Sequence, residues 1–330
     1  MTVAQNIQHL GVCGYSYSVH WKAARDGSAL APFKGTLEFI DYCHQLGAGG
    51  VQVSVGSKEA DYPKRVRAKI ESHGMYFEGQ ANLPQQQEDI IRFETDVLAA
   101  KEAGAEVIRA ALLSGRRYET FDSEEVFRQF EKRSWQSLTL AEPVVKKHRV
   151  RLAIENHKDF RAAEFLELLK RLGSDHVGVC VDTGNNLALL EEPLAVVRAL
   201  APVAFSTHIK DMAVQEYEGG FLLSEVPLGE GFLDLKEMIA LLRQANPKVQ
   251  FNLEMITRDP LKIPCLTRQY WATMPTLAAR ELAAALDIVR RNSSRKPLPH
   301  TSGLASAEQL ALEDEHVRKC FDYARRELAF

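Results

Sequence analysis

Short apolar runs alternate along the chain with longer stretches whose apolar residues recur every three to four positions. The runs are His9–Cys13, Gly50–Ser54, Met75–Glu78, Glu106–Arg109, Val150–Glu155, Val177–Asp182, Val203–His208 and Val249–Glu254. They are short and rich in Val, Ile and Phe, as strands buried on both faces are. Between them, Leu37–Leu46, Asp89–Ala103, Ser123–Lys147, Ala162–Leu172 and Leu235–Gln244 carry helical periodicity. Eight strands alternating with helices predict an α/β chain closed into a parallel (β/α)8 barrel.

Two stretches fall outside the repeat. Met212–Gly231, rich in Glu and Gly, reads as a long connection after the seventh strand, a loop able to close over a ligand. After the eighth strand, Leu277–Arg291 and Ala307–Leu328 read as helices, separated by a loop at Ser293–Gly303. The expected division is a barrel over residues 1–275 and a C-terminal helical extension over 276–330. The extension packs on the barrel or on a partner subunit, which leaves a homo-oligomer open.

Composition narrows the partners. The formal net charge of -3 offers no basic field for a nucleic acid. The run Lys146-Lys147-His148-Arg149 reads as a solvated helix end. Five cysteines, odd in number and without a CxxC pair, suggest neither a disulfide framework nor a thiolate zinc site. Cys180 sits in an apolar run and reads as a small core residue. The start, MTVAQNIQHLG, lacks a basic, apolar leader, and no run approaches the roughly 20 apolar residues of a membrane helix. A cytoplasmic protein away from membranes is the expectation.

Chemistry enters at the strand ends. Glu155, Asp182, His208 and Glu254 each close an apolar run. In a parallel barrel all strand C-termini open on one face, so these four side chains converge there. Three adjacent carboxylates repel one another without a cation. Oxygen ligands with one imidazole suit Mn²⁺ best, with Mg²⁺, Co²⁺ or Zn²⁺ as alternatives. Four unrelated strand-end charges paired with Lys or Arg are the plain alternative. Period two along a strand puts His157 with Glu155, Lys210 with His208 and Asn252 with Glu254. His157 and Lys210 are thus candidate substrate contacts. Arg109 is another, or a surface arginine in an ion pair. Of Tyr15, Tyr17, Trp21, Phe221, Tyr270 and Trp271, one or two are candidates to stack on a sugar ring.

At these residues the chain resembles the sugar phosphate isomerase/epimerase family of the xylose isomerase-like TIM barrels. The matching pieces are LAIENH at 152–157, VDTGN at 181–185, THIKD at 207–211, NLEM at 252–255, LGEGFLDL at 228–235 and EGQANLP at 78–84. The resemblance implies Glu155, Asp182, His208 and Glu254 as metal ligands, with Glu155 and Glu254 doubling as the catalytic acid/base pair. It adds Glu78 and Asn185 to the candidate substrate contacts. Many relatives carry His where this chain has Asn185, and Asn cannot titrate.

The implied reaction is isomerisation or epimerisation of a sugar or sugar acid through a metal-stabilised enediolate, with proton transfer α to a carbonyl. The rival is a metal-dependent lyase or decarboxylase using the same enolate, C-glycoside cleavage included. A phosphodiesterase of the type IV endonuclease kind needs many histidines, and only 10 occur here. A non-catalytic sugar-binding barrel would tolerate loss of a ligand, yet all four are present.

Overall fold

The computed structural model describes residues 9–57 and 59–330. Most of the N-terminal stretch read for a leader lies outside the described residues. The elements run β1 Gly11–Cys13, α1 Ser18–Arg25, α2 Thr36–Leu46, β2 Gly50–Val53, α3 Tyr62–His73, β3 Tyr76–Gln80, α4 Ile90–Glu102 and β4 Val107–Ala110. They continue α5 Arg117–Thr120, α6 Glu124–His148, β5 Arg151–Glu155, α7 Ala162–Leu172, β6 Val177–Asp182, α8 Pro193–Leu200 and β7 Ala204–Ile209. The last are β8 Asp211–Tyr217, β9 Gly220–Val226, α9 Leu235–Ala245, β10 Gln250–Leu253, β11 Leu261–Ile263, α10 Ala279–Arg291 and α11 Ser306–Glu327.

Eight parallel strands close a barrel in the order β1-β10-β7-β6-β5-β4-β3-β2. Helices surround it, and one continuous apolar core runs between the two layers. The helix signals are local. Ser123 caps α6 by accepting from the Val126 N–H, and Glu124 and Glu125 stand in its first turn. Lys146, Lys147 and His148 stand in its last turn, against the carbonyl end of the dipole. Lys147 and His148 also reach Glu94 at 2.8 and 2.6 Å, so the basic run is a paired helix end.

Met212–Gly231 is not a loop. Strands β8 and β9 form an antiparallel hairpin around Glu218–Gly219, and β11 completes a three-stranded sheet. Phe221, Leu223, Val214 and Ile263 make it a second, smaller core with Leu187 and Tyr270. Apolar residues on the buried face specify strands here more strongly than the scattered Glu and Gly specify a loop. Gly184 lets this sheet approach the strand ends: a Cβ there would lie 2.6 Å from Met212 Cγ.

The C-terminal helices pack on this same chain. Ala285 and Val289 of α10 join the smaller core. Val317, Cys320, Phe321 and Ala324 of α11 join the main one. Buried Glu313 accepts the backbone N–H groups of Val19 and His20 at 2.9 and 3.0 Å, closing the start of α1. The six aromatics divide by burial. Tyr17, Phe221 and Tyr270 are core residues, and Tyr270 donates to the Ala188 carbonyl at 2.7 Å. Trp271 is tied to the Cys265 carbonyl at 2.9 Å, which leaves Tyr15 and Trp21 at the barrel mouth.

Candidate metal centre

The four strand-end residues meet. Glu155 and Asp182 are the last residues of β5 and β6, His208 is next to last in β7, and Glu254 follows β10 directly. Parallel register sets Asp182 and Asn252 on either side of His208. One ligand-type atom from each of the four lies within 4.8 Å of the others, and all four residues are buried. His208 Nδ1 stands 3.4 Å from Glu155 Oε2, 3.2 Å from Glu254 Oε1 and 4.0 Å from Asp182 Oδ2.

At this point His208 Nδ1 has no hydrogen bond among the described residues, and Asp182 Oδ2 is met only by the Lys210 ammonium, at 2.8 Å. A buried polar atom is rarely left so, and a bare imidazole nitrogen among three carboxylates is what an ion would satisfy. The remaining valences of the same side chains are fixed. Asp182 Oδ1 accepts from the N–H groups of Gly184 and Asn185 at 2.9 and 2.8 Å. His208 Nε2 lies 2.7 Å from Gln52 Oε1. The Gln52 amide nitrogen donates to Glu78 Oε2 and Ser206 Oγ, both at 3.0 Å, so its oxygen faces the imidazole. Nε2 therefore carries a proton for Gln52, which leaves Nδ1 as the nitrogen that faces the carboxylates. The residues fit a divalent ion.

Charge around the centre is organised. Arg109 holds Glu155 Oε2 through Nε at 2.9 Å and through Nη2. Asn185 Nδ2 donates to Glu155 Oε1 at 3.0 Å. Burial opposes ionisation of Glu155, but Arg109 and then His208 outweigh it and hold the carboxyl well below its ordinary range. Burial likewise opposes charge on His208. The Cys180 sulfur, Glu254, the Cys13 sulfur and Glu155 overcome it and push the imidazole well above its usual value. Lys210 Nζ spans Asp182 Oδ2 at 2.8 Å and Glu254 Oε2 at 2.5 Å. The cations draw toward the place where the anions converge.

The other predicted residues separate by depth. Lys210 and Asn185 border the four ligands. Arg109 is 7% exposed and engages Glu155, so the surface ion pair is excluded. His157 is half-buried, bound through Nδ1 to the Leu113 carbonyl at 2.9 Å, and pushed down to about 4 by burial. Glu78, expected beside a substrate, lies a layer deeper. Its Oε2 accepts from Ser206 at 2.5 Å, Asn252 at 2.8 Å and Gln52 at 3.0 Å. It braces the amide that orients His208.

Sequence reasoning missed Gln52, Cys13, Lys158, Glu225 and Arg258. Cys13 ends β1 with its sulfur 4.0 Å from Glu254 Oε1, and the strand-end rule that found the ligands marks it too. Lys158, at a left-handed φ of 59°, donates Nζ to Asn185 Oδ1. Glu225 of β9 is buried, held by Arg258 through Nε at 3.1 Å, and lies 3.9 Å from Lys210 Nζ. A pocket of about 370 Å³ opens at the barrel mouth between Tyr15, Trp21, Tyr62 and Gln80. A larger one, about 1250 Å³, lies outside the barrel along α6 and α7, away from the centre.

The model of a family described as xylose isomerase-like TIM barrel matches residues 40–287. A 3-oxo-isoapionate decarboxylase of Pectobacterium atrosepticum is 33% identical over 94 residues, 28% of this chain and 34% of that protein. The chain thus spans about a third of the length of that curated relative. A D-psicose 3-epimerase solved in the presence of D-fructose superposes with a TM-score of 0.60 at 15% identity, over 98% of this chain and 100% of that one. A Mycobacterium smegmatis protein of the same barrel type, in complex with magnesium, gives 0.56 at 14% identity over 86% and 100%. Likeness at these identities is likeness of fold.

Proposed function

The chain belongs to the xylose isomerase-like TIM barrel family, and from that premise we propose that it is a divalent-metal-dependent isomerase or epimerase acting on a sugar or sugar acid. One observation carries the reading: four ligand-type side chains converge on one point, with His208 Nδ1 lacking a hydrogen bond among the described residues. Glu155, Asp182, His208 and Glu254 would hold the ion, which when bound supplies a Lewis acid for negative charge on substrate oxygens. The donor set, three carboxylates and one imidazole, favours Mn²⁺ and admits Mg²⁺, Co²⁺ or Zn²⁺.

The chain's own residues do the rest. Glu254 Oε1 faces His208 Nδ1 at 3.2 Å and the Cys13 thiol at 4.0 Å, with no arginine or amide donor on it as on Glu155, so Glu254 is the carboxylate we assign to take a proton from the carbon α to a carbonyl. Glu155 faces it across His208 as the second acid/base group. Lys210, Arg109 and His157 are the donors placed to hold substrate oxygens. The small sheet over the strand ends would shield the enolate from water.

A specific observation favours a second reading, decarboxylation or another lyase reaction. Both oxygens of Glu155 are occupied, by Arg109 and Asn185. Epimerisation needs two mobile carboxylates, whereas a cleavage that leaves an enolate needs one proton donor, and Glu254 suffices. The partial match to a decarboxylase accords with this.

The test is proton exchange in D₂O, followed by NMR. Protein loaded with Mn²⁺ is incubated with ketoses, keto acids and 3-keto glycosides. Deuterium entering α to the carbonyl, and lost in Glu254→Gln, supports the proposal. A new epimer or isomer selects the first reading; released CO₂ or aglycone selects the second. No exchange from protein with Mn²⁺ bound counts against both. No described helix is long and apolar enough to cross a membrane, and a small-molecule substrate is the partner this centre suits.

A further inference from the structure

Lys158 and Lys210 both aim their ammonium groups at one oxygen. Lys158 Nζ donates to Asn185 Oδ1, and Lys210 Nζ lies 3.4 Å from the same atom. Lys158 is 3% and Lys210 1% exposed, so neither is hydrated as a surface lysine is. Asn185 cannot turn away, because its Nδ2 is tied to Glu155 Oε1 and the Asn156 carbonyl at 3.0 and 3.1 Å. Each ammonium has three protons to place. Lys158 has the Asn185 oxygen alone as acceptor among the described residues.

Lys210 is satisfied now by Asp182 and Glu254, two of the four ligands. An ion at these ligands would share Asp182 Oδ2 with Lys210, which keeps Glu254 Oε2, Glu225 at 3.9 Å and Asn185. Lys158 makes no ion pair among the described residues, and a buried ammonium with one amide oxygen for its three protons, beside a second ammonium on the same atom, is costly unless an anion joins it.

The wider charge balance agrees. Arg109, Lys158, Lys210 and Arg258 face Glu155, Asp182, Glu254 and Glu225 about the centre. A divalent ion adds two positive charges to that even count. Glu78 beneath is pushed up toward its neutral form by burial. Asp159, beside Lys158 in sequence, spends Oδ1 on the N–H groups of His157 and Phe160, its Oδ2 has no hydrogen-bond partner among the described residues, Lys158 included, and burial pushes its carboxyl up to about 7. His157 is tied to the Leu113 carbonyl. None of them supplies the missing anion.

We propose that the substrate carries a carboxylate, seated between Lys158 and Lys210 beside Asn185, so that the enzyme acts on a sugar acid rather than a neutral ketose. This rests on the metal-centre reading above. It also gives Asn185 a purpose: an amide offers the lysines an acceptor and Glu155 a donor at once, which a protonated imidazole cannot.

The experiment is calorimetric binding, without turnover. Mn²⁺ is titrated first; then threonate, a four-carbon sugar acid, is compared with erythrulose, a neutral four-carbon ketose, on the Mn²⁺-loaded protein. Threonate is expected to bind at least about tenfold more tightly, the low end for a charge-assisted contact. Lys158→Met and Lys158→Gln should each remove that preference while binding Mn²⁺ as the parent does. Thermal unfolding shows which variant is folded, and the folded one decides. Equal binding of the two probes, binding of neither, or a preference that survives loss of the Lys158 charge overturns the carboxylate seat. Failure to bind Mn²⁺ at all overturns the metal centre itself, a distinct result.

Discussion

Two buried acidic clusters in this molecule end differently. Glu313 on α11 is fully buried, and its oxygens are used up: Oε1 by the Val19 N–H and Ser18, Oε2 by the His20 N–H and by His20 Nδ1 at 2.6 Å. At the barrel mouth Glu155, Asp182 and Glu254 are as deeply buried, yet His208 Nδ1 among them has no hydrogen bond among the described residues, and Asp182 Oδ2 meets only the Lys210 ammonium. The first cluster is closed by the fold alone. The second is left open at its centre, with Gln52, Asn185, Arg109 and Lys210 engaging the side chains around it. Completeness, not burial or charge, separates a structural carboxylate from a functional one.

The sharpest break of that comparison is to exchange the fates of the two sites. Glu313→Ala strips α1 of its cap and leaves His20 without its partner. It should cost about 3–5 kcal/mol, the range for removing one member of a buried pair. Urea unfolding would measure the loss, and addition of Mn²⁺ should restore none of it beyond the gain seen in the parent protein. A cost below about 1 kcal/mol would mean that the closed cluster contributes little.

The open cluster should respond to metal instead. At a hundredfold excess over its dissociation constant an ion binding only the folded state adds about 2.7 kcal/mol. Thermal unfolding with Mn²⁺ and with EDTA should therefore differ by several degrees. Asp182→Asn, which keeps shape and removes one ligand charge, should erase that difference. A metal response that survives this change would place the ion elsewhere.

A smaller effect tests the support beneath His208. Gln52→Leu removes the oxygen that fixes the imidazole, and loss of such an orienting contact typically weakens metal binding 10- to 100-fold. A calorimetric Mn²⁺ titration reads this directly. Unchanged affinity would show that the ring is held by packing and not by the Gln52 contact.

The two clusters were not equally legible in the sequence. Apolar runs marked all eight barrel strands, because parallel strands are covered on both faces and read as unbroken hydrophobic stretches. A carboxylate or imidazole ending such a run has one place to go, so Glu155, Asp182, His208 and Glu254 could be named. Glu313 could not. It lies in a charged stretch, LEDEHVRK, on an amphipathic helix, and its burial comes from docking on α1, a contact across some 290 residues. Lys158 was hidden for another reason: it sits past the end of β5 in a left-handed turn, where strand phase no longer predicts direction. The hairpin Asp211–Val226 was obscured because Glu216, Glu218, Gly219 and Gly220 crowd its turn and suggest a loop. Glu78 shows the limit of phase itself, which gives the face of a strand but not the depth.

That depth yields the smallest expected effect. Glu78 accepts three donors through Oε2 and leaves Oε1 bare, so it lies between the closed cluster and the open one. Burial pushes its carboxyl above the ordinary 4.5, against the opposing pull of Ser206, Gln52 and Asn252. A group whose folded value is raised favours the fold when protonated. Its contribution is complete below 4.5 and is lost as pH rises through the raised value. Glu78→Gln keeps an oxygen for the three donors and cannot ionise. Its stability relative to the parent protein should therefore improve as pH rises above 4.5 and level off above the raised value, which urea unfolding at several pH values would follow. A difference that stays flat with pH would show that Glu78 titrates in the folded protein as in the unfolded chain and is ionised at neutral pH. Its bare Oε1 would then be an anionic valence still available, and Glu78 would belong with the open cluster.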